Sequence, residues 1–264
     1  MPGILQTLRG AACRVTCEAH VHDLSCAPEM DHAHPESGPD RPGAHPLREW
    51  DPWWEAAWLT VGTAFRTAFK VRVEGDAEIP ARGGALLAYN HVSVLDPIAV
   101  ALAAARRGRP VRFMALSELF EHGLMGWALR TTRQIPLRRG LGDWAAIERV
   151  AGVLREGSVA AMSPEGTVGD GTSLLPGQRG AARIALTAGV PVLPVGVWGT
   201  QRRWPQAGLH WRGPMRPQVS VSVGPRIVPK GDARSRRDVL ALTERIMSDL
   251  RVAVDRARSS PGSA

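Results

Sequence analysis

Asn90, His91 and Asp96 close an apolar run in the stretch LLAYNHVSVLDPIAV, residues 86–100. A histidine followed by a carboxylate has the parts of a general base. The carboxylate holds the imidazole in one tautomer and stabilises the imidazolium that forms. Five positions apart on a straight helix, the two would point roughly 140° away from each other. The pair therefore needs a turn between its members. Each residue also has a plainer use. Asp-Pro is a good helix start, with Asp96 as N-cap and Pro97 at the first helical position. His91 reads equally as a hydrogen-bonded structural histidine. Ser93, inside the same loop, offers a hydroxyl nucleophile.

A second cluster is MSPEGTVGDG, residues 162–171. An apolar strand runs out into a glycine-rich loop there, and exposed N–H groups in such a loop can cradle an anion. Glu165 is odd in that setting, since like charges repel. It reads as a cap on the turn or as a partner that orients a nearby arginine, and the second role is preferred. Arg133, Arg138 and Arg139 form a basic group. Arg139 has the planar fork that suits a phosphate, or is a solvated surface charge.

These residues need a scaffold, and the order of elements suggests one. KVRVEG, GALLAYN, PVRFMAL, RQIPL, SVAAM, VPVLPVGVWG and QVSVSVGPRIV read as strands. DPIAVALAAARRG, SELFEHGLMGWALRTT, GDWAAIERVAGVLREG and GQRGAARIALTAG read as helices between them. Alternation of this kind predicts a single α/β domain with a mixed, largely parallel sheet flanked by helices. Chemistry in such sheets collects at the carboxyl ends of strands. A last helix carries Val239, Leu242, Ile246 and Leu250 on one face. Ahead of the sheet, Trp54, Trp58, Val61, Phe65 and Phe69 make a helical stripe within residues 50–70. Its tryptophans suit a membrane interface or a helix docked on its own domain, and both can hold.

Composition narrows the partners. The chain has 264 residues, a net charge of +8, and only two lysines, Lys70 and Lys230. An excess of arginine favours an anionic partner such as lipid, phosphorylated substrate or nucleic acid. Aromatics are only 5% of the chain, which weakens the nucleic-acid reading because base stacking needs them. The arginine preference points to a GC-rich bacterial genome. Cys13, Cys17 and Cys26 all precede residue 30, so no cysteine can serve as a nucleophile in the sheet domain. A reducing compartment, no signal peptide and no transmembrane helix are expected. Residues 1–45 hold His20, His22, His32, His34 and His45 among Pro, Gly and acidic residues. Their spacing fits no standard zinc finger, so we read a disordered tail with no metal. The domain proper is placed at 46–264.

The stretch NHVSVLD resembles the N-H-x4-D signature of the glycerolipid acyltransferases, the family of 1-acylglycerol-3-phosphate acyltransferase. Three more blocks are similar, in order: IPLRRG (135–140), SPEGT (163–167) and VPVLPVGVWGT (190–200). The resemblance covers about 70–230. It implies transfer of a fatty acyl group from acyl-CoA or acyl carrier protein to the hydroxyl of a lysophospholipid, with 1-acylglycerol-3-phosphate the first expectation, in phospholipid biosynthesis. His91 would be the general base and Asp96 its orienter. Arg139, Glu165, Gly166 and Thr167 would bind the acceptor, with Asn90 and Ser93 beside them. Pro191 and Pro194 would shape a pocket. No cofactor or metal is implied beyond the acyl donor. The expected setting is the cytoplasmic face of the plasma membrane, with the protein peripheral and no nucleic-acid partner.

Residue chemistry agrees, because a thioester already carries a good leaving group and the alcohol alone needs activation. Direct transfer is preferred over an acyl-Ser93 intermediate. Two positions depart from the pattern. Ser163 replaces an aromatic, and Val168 replaces an arginine that the family associates with the acceptor's phosphate. The acceptor can therefore be another lipid alcohol, or Arg179 or Arg183 can substitute. A non-catalytic lipid-binding relative is the main alternative, and intact His91 and Asp96 oppose it. No G-x-S-x-G supports a serine-elbow hydrolase.

Overall fold

The computed structural model describes residues 52–137, 144–205, 208–210 and 214–261. The expectations for residues 1–45, for Arg138 and for Arg139 lie outside the described residues. Those described all belong to one compact unit, Arg41–Ala264.

Seven strands form one sheet. They are β1 (Lys70–Glu74), β2 (Ala85–Tyr89), β3 (Val111–Leu116), β4 (Ile135–Leu137), β5 (Val159–Met162), β6 (Val192–Trp198) and β7 (Gln218–Val223). Their spatial order is β1-β7-β6-β2-β5-β3-β4. β6, β2, β5, β3 and β4 run parallel, while β7 turns antiparallel to β6 and carries β1 alongside it. The mixed, largely parallel sheet flanked by helices is as the sequence predicts.

β2 lies at the centre and has no polar side chain facing water on either side. All five of its residues are buried, the pattern of a parallel strand covered on both faces. Ala85, Leu87 and Tyr89 join one core with α3 (Asp96–Ala105) and with Phe65 and Phe69. Leu86 and Ala88 join the other, with α5 (Trp144–Arg155), α6 (Gly180–Ala188) and α7 (Arg236–Ser259). Val239, Leu242, Ile246 and Leu250 are buried, as their spacing requires. α7 packs so closely on β6 that a Cβ at Gly196 would overlap the Ala253 backbone. None of the helices among the described residues is long and apolar enough to cross a membrane.

Three local readings change. The first helix is α1 (Pro52–Ala57), a π turn at Trp58–Gly62, and α2 (Thr63–Ala68). A π turn inserts one residue into the helical register. Val61 thereby leaves the stripe for solvent, and Gly62 lies under the Trp58 ring. Trp54 is buried while Trp53 is exposed, so the outward tryptophan is not on the expected stripe. The segment SELFEHGLMGWALRTT is a 3-10 turn at Ser117–Glu121 and then α4 (Gly123–Thr131), broken at His122, whose backbone is extended.

Pro194 is also misread as a pocket residue. It is buried inside β6, opposite Ala88. Val192 pairs with Ile227 and Val195 with Val223, so two residues of β6 face three between them. That is a bulge, one of the few interior places where a strand tolerates proline.

Arg109 was not singled out from sequence, yet it is fully buried. Its guanidinium donates to the carbonyls of Pro80, Gly83 and Gly157. It thus ties the turns before β2 and β5, and so sets their relative height. Arg109→Met should lower the unfolding free energy by about 3 kcal/mol or more, since each stranded buried carbonyl costs about 1–3 kcal/mol. Denaturant unfolding measures this, and a loss below about 1 kcal/mol would contradict the clamp.

Candidate active site

β2 delivers Asn90 and His91 at its carboxyl end, and the chain then turns at once into α3. Asp96 is the first residue of α3. Its carboxylate does not cap that helix, whose N-cap Leu95 offers no side-chain bond. Instead it folds back over the turn. Oδ2 accepts from the backbone N–H of Val92 at 2.7 Å and of Ser93 at 2.8 Å. The same oxygen lies 3.0 Å from Nδ1 of His91. Oδ1 accepts from the Thr200 hydroxyl at 2.5 Å. Three donors thus converge on Oδ2 and one on Oδ1, so both carboxylate oxygens are engaged. With Oδ2 accepting, Nδ1 carries the proton, and in the neutral ring Nε2 keeps its lone pair.

The backbone of His91 is held as firmly as its ring. Its N–H donates to Glu165 Oε1 at 2.9 Å, and its carbonyl accepts from Gly169 N–H at 2.7 Å. Tyr89 meets the ring edge-on, with centroids 5.8 Å apart. Burial pushes the Tyr89 phenol well above its ordinary pKa, and the Asp96 charge pushes the same way. The phenol is therefore a neutral packing surface.

Glu165 corrects the sequence reading. Its second oxygen accepts from Leu175 N–H at 2.8 Å. Both oxygens serve backbone N–H groups, and no arginine partners it among the described residues. Burial raises its pKa above the ordinary carboxylate range, against the pull of the Leu175 and His91 N–H groups and the His91 ring, while Asp96 adds to the rise. Glu165 joins the loop after β5 to the end of β2. Gly166 follows in the left-handed region, φ 71°, where glycine is favoured.

Asn90 and Ser93 also have structural bonds where substrate contacts were expected. The Asn90 amide donates to Val197 O at 3.0 Å and accepts from Val197 N–H at 2.7 Å, clasping β6. Ser93 is fully buried; its hydroxyl donates to Trp204 O and accepts from Leu95 N–H. That leaves it neither a nucleophile nor a substrate ligand. Thr200 went unnoticed because it lies 104 residues from Asp96, a distance at which spacing carries no signal.

The His91 ring is partly exposed and lines a groove of about 1680 Å³. Gly166, Thr167 and Val168 form part of one wall, with Arg179 and Arg183 from the start of α6. Apolar residues of α3, β3 and α4, including Ile98, Phe113 and Leu129, form much of the rest. Such a site can deprotonate a hydroxyl beside a long apolar substrate.

Residues 70–198 match the family model described as Acyltransferase. They form an acyltransferase-family domain. Over 131 residues the chain is 37% identical to the lyso-ornithine lipid O-acyltransferase of Pseudomonas aeruginosa, covering 49% of this chain and 47% of that protein. It is 26% identical over 129 residues to the 1-acyl-sn-glycerol-3-phosphate acyltransferase of Bacillus subtilis, covering 49% of this chain and 63% of that protein. The chain spans about half the length of the curated relatives it matches. The solved 1-acyl-sn-glycerophosphate acyltransferase PlsC of Thermotoga maritima shares the fold, with a TM-score of 0.61 at 24% identity over 78% of this chain and 80% of that one. The matched residues contain His91, Asp96 and every group bonded to either of them except Thr200, which lies just beyond the match.

Thr200→Val keeps the shape and deletes the bond to Asp96. It should cost about 1.5–3 kcal/mol, the range for hydrogen bonds to charged groups. Thr200→Ser should retain most of the stability. Thermal unfolding of both variants checks this, and equal losses would deny the hydroxyl its role.

Proposed function

We propose that this chain transfers a fatty acyl group from a thioester, acyl-CoA or acyl carrier protein, to the hydroxyl of a lysolipid at a membrane surface. One observation carries the reading: Asp96 Oδ2 lies 3.0 Å from Nδ1 of His91, which turns Nε2 of the neutral ring to the acceptor, on a ring that lines a largely apolar groove. In the reaction, Nε2 takes the proton of the acceptor hydroxyl as its oxygen attacks the thioester carbonyl. The new C–O bond gives a tetrahedral intermediate. The C–S bond then breaks, and the imidazolium returns the proton to the departing thiolate. Asp96 stabilises the imidazolium throughout. Ser93 takes no part, in keeping with direct transfer.

The first candidate acceptor is 1-acylglycerol-3-phosphate. A second reading, a lyso-ornithine lipid acceptor, has its own support. Val168 lines the groove where the family usually has arginine, and a 37% identical relative bears that name.

Exposed apolar groups around the groove support the membrane surface. Trp53, Leu59 and Val61 project from the first helix, and Leu124, Met125 and Trp127 from α4. Trp53 and Trp127 meet edge to face, 5.5 Å apart, so the two elements present one patch. Monomeric proteins rarely expose a broad contiguous apolar face without an interaction that uses it. The cytoplasmic face of the plasma membrane is the proposed location.

His91→Ala should reduce transfer by about 10²–10⁴-fold, the range for a lost general base, without loss of fold. Labelled acyl-thioester assays with several lysolipids read this; activity near that of the parent would remove His91 from the role. Trp53→Ala combined with Trp127→Ala should weaken partitioning onto anionic vesicles about tenfold, or about 1.4 kcal/mol of apolar burial. Unchanged partitioning would show that another face meets the bilayer.

A further inference from the structure

Among the described residues, the groove holds positive charge that no ion pair balances. Arg179 and Arg183 are the only arginines lining it among the described residues. They lie four positions apart, one helical turn, at the start of α6, so both can reach the same point. Glu165 is the only carboxylate lining the groove among the described residues, and both of its oxygens are taken by backbone N–H groups. Neither arginine has an ion-pair partner among the described residues; the arginine ion pairs there are Arg72–Glu74, Arg106–Asp76, Arg155–Glu148 and Arg245–Asp249.

Their position is fixed against the loop that carries Val168. Gln178 N–H donates to Pro164 O at 2.7 Å, and the Gln178 side chain lies against Gly166. Arg179 therefore emerges beside Gly166 and Thr167, next to the wall that Val168 leaves uncharged. A guanidinium offers parallel N–H donors that match the oxygens of a phosphate or a carboxylate.

We infer that Arg179 and Arg183 bind the anionic group of the acceptor's headgroup, a phosphate or a carboxylate, and so set acceptor specificity. This rests on the lysolipid acyltransferase reading of the same groove. The pair supplies from α6 the charge that Val168 does not supply from the loop.

The test compares the full chain with Arg179→Gln, Arg183→Gln and the double variant, after matching their melting temperatures. Acceptors are lysophosphatidate, lyso-ornithine lipid and uncharged monoacylglycerol, assayed for transfer. Binding of each is measured separately by titration below its micelle concentration. For the two acceptors that carry an anionic group, KM and Kd should rise at least tenfold in the double variant. The preference over monoacylglycerol should fall by the same factor, with kcat for those two acceptors little changed. Whichever of lysophosphatidate and lyso-ornithine lipid shows the larger change identifies the anionic group as phosphate or carboxylate. Equal losses on all three acceptors, or none, would overturn the assignment. If the parent transfers no acyl group, the binding arm decides alone. Anionic preference lost in the double variant upholds the site even as the transfer reading fails, and binding indifferent to the variants overturns it.

Discussion

The site depends on a single carboxylate that cannot be reached by solvent. Asp96 gathers two backbone N–H groups from its own turn, the ring of His91 and the hydroxyl of Thr200. Burying a charged group without partners costs far more than most proteins can offset, and one with four donors is stable where it stands. The same bonds that make the burial tolerable hold the imidazole. Folding energy and chemical competence therefore draw on one set of contacts. The donor farthest away in sequence, Thr200, binds the end of β6 to the start of α3 and makes the site a product of the completed sheet.

Glu165 does the matching job for the main chain. It spans from the loop after β5 to the end of β2, two strands that are neighbours at the sheet's centre. With Gly169 returning to the His91 carbonyl, the histidine is held at its N–H, its C=O and its ring. A glutamate in that place looks ill suited to a site for anions. Its charge is spent on backbone donors, which leaves the positive field of the groove to the arginines of α6.

Much of this was legible in the residues. The uninterrupted apolar run of β2, the alanine-rich α3 and the 3–4 spacing of α7 define the layers before any contact is known. The turn between His91 and Asp96 follows from simple helix geometry. What escaped depends on neighbours distant in the chain. Asn90 looks like a ligand until β6 lies alongside it, 107 residues later, to take both ends of its amide. Ser93 looks like a nucleophile until the Trp204 carbonyl takes its hydroxyl. Pro194 looks like a pocket wall until a bulge places it inside the sheet. The π turn at Trp58–Gly62 shifts the register by one residue, which no periodicity reveals in advance.

The central claim is that Asp96 fixes the proton of His91 on Nδ1 and leaves the Nε2 lone pair for the acceptor hydroxyl. Nitrogen NMR of the full chain labelled in its histidine rings, with His91→Gln to assign the signal, reads this directly. The account predicts that neutral His91 is in the Nδ1–H tautomer, and that Asp96→Ala returns it to the mixture seen in free solution. A neutral ring protonated on Nε2 in the parent would contradict it, because that ring has no lone pair to offer the substrate.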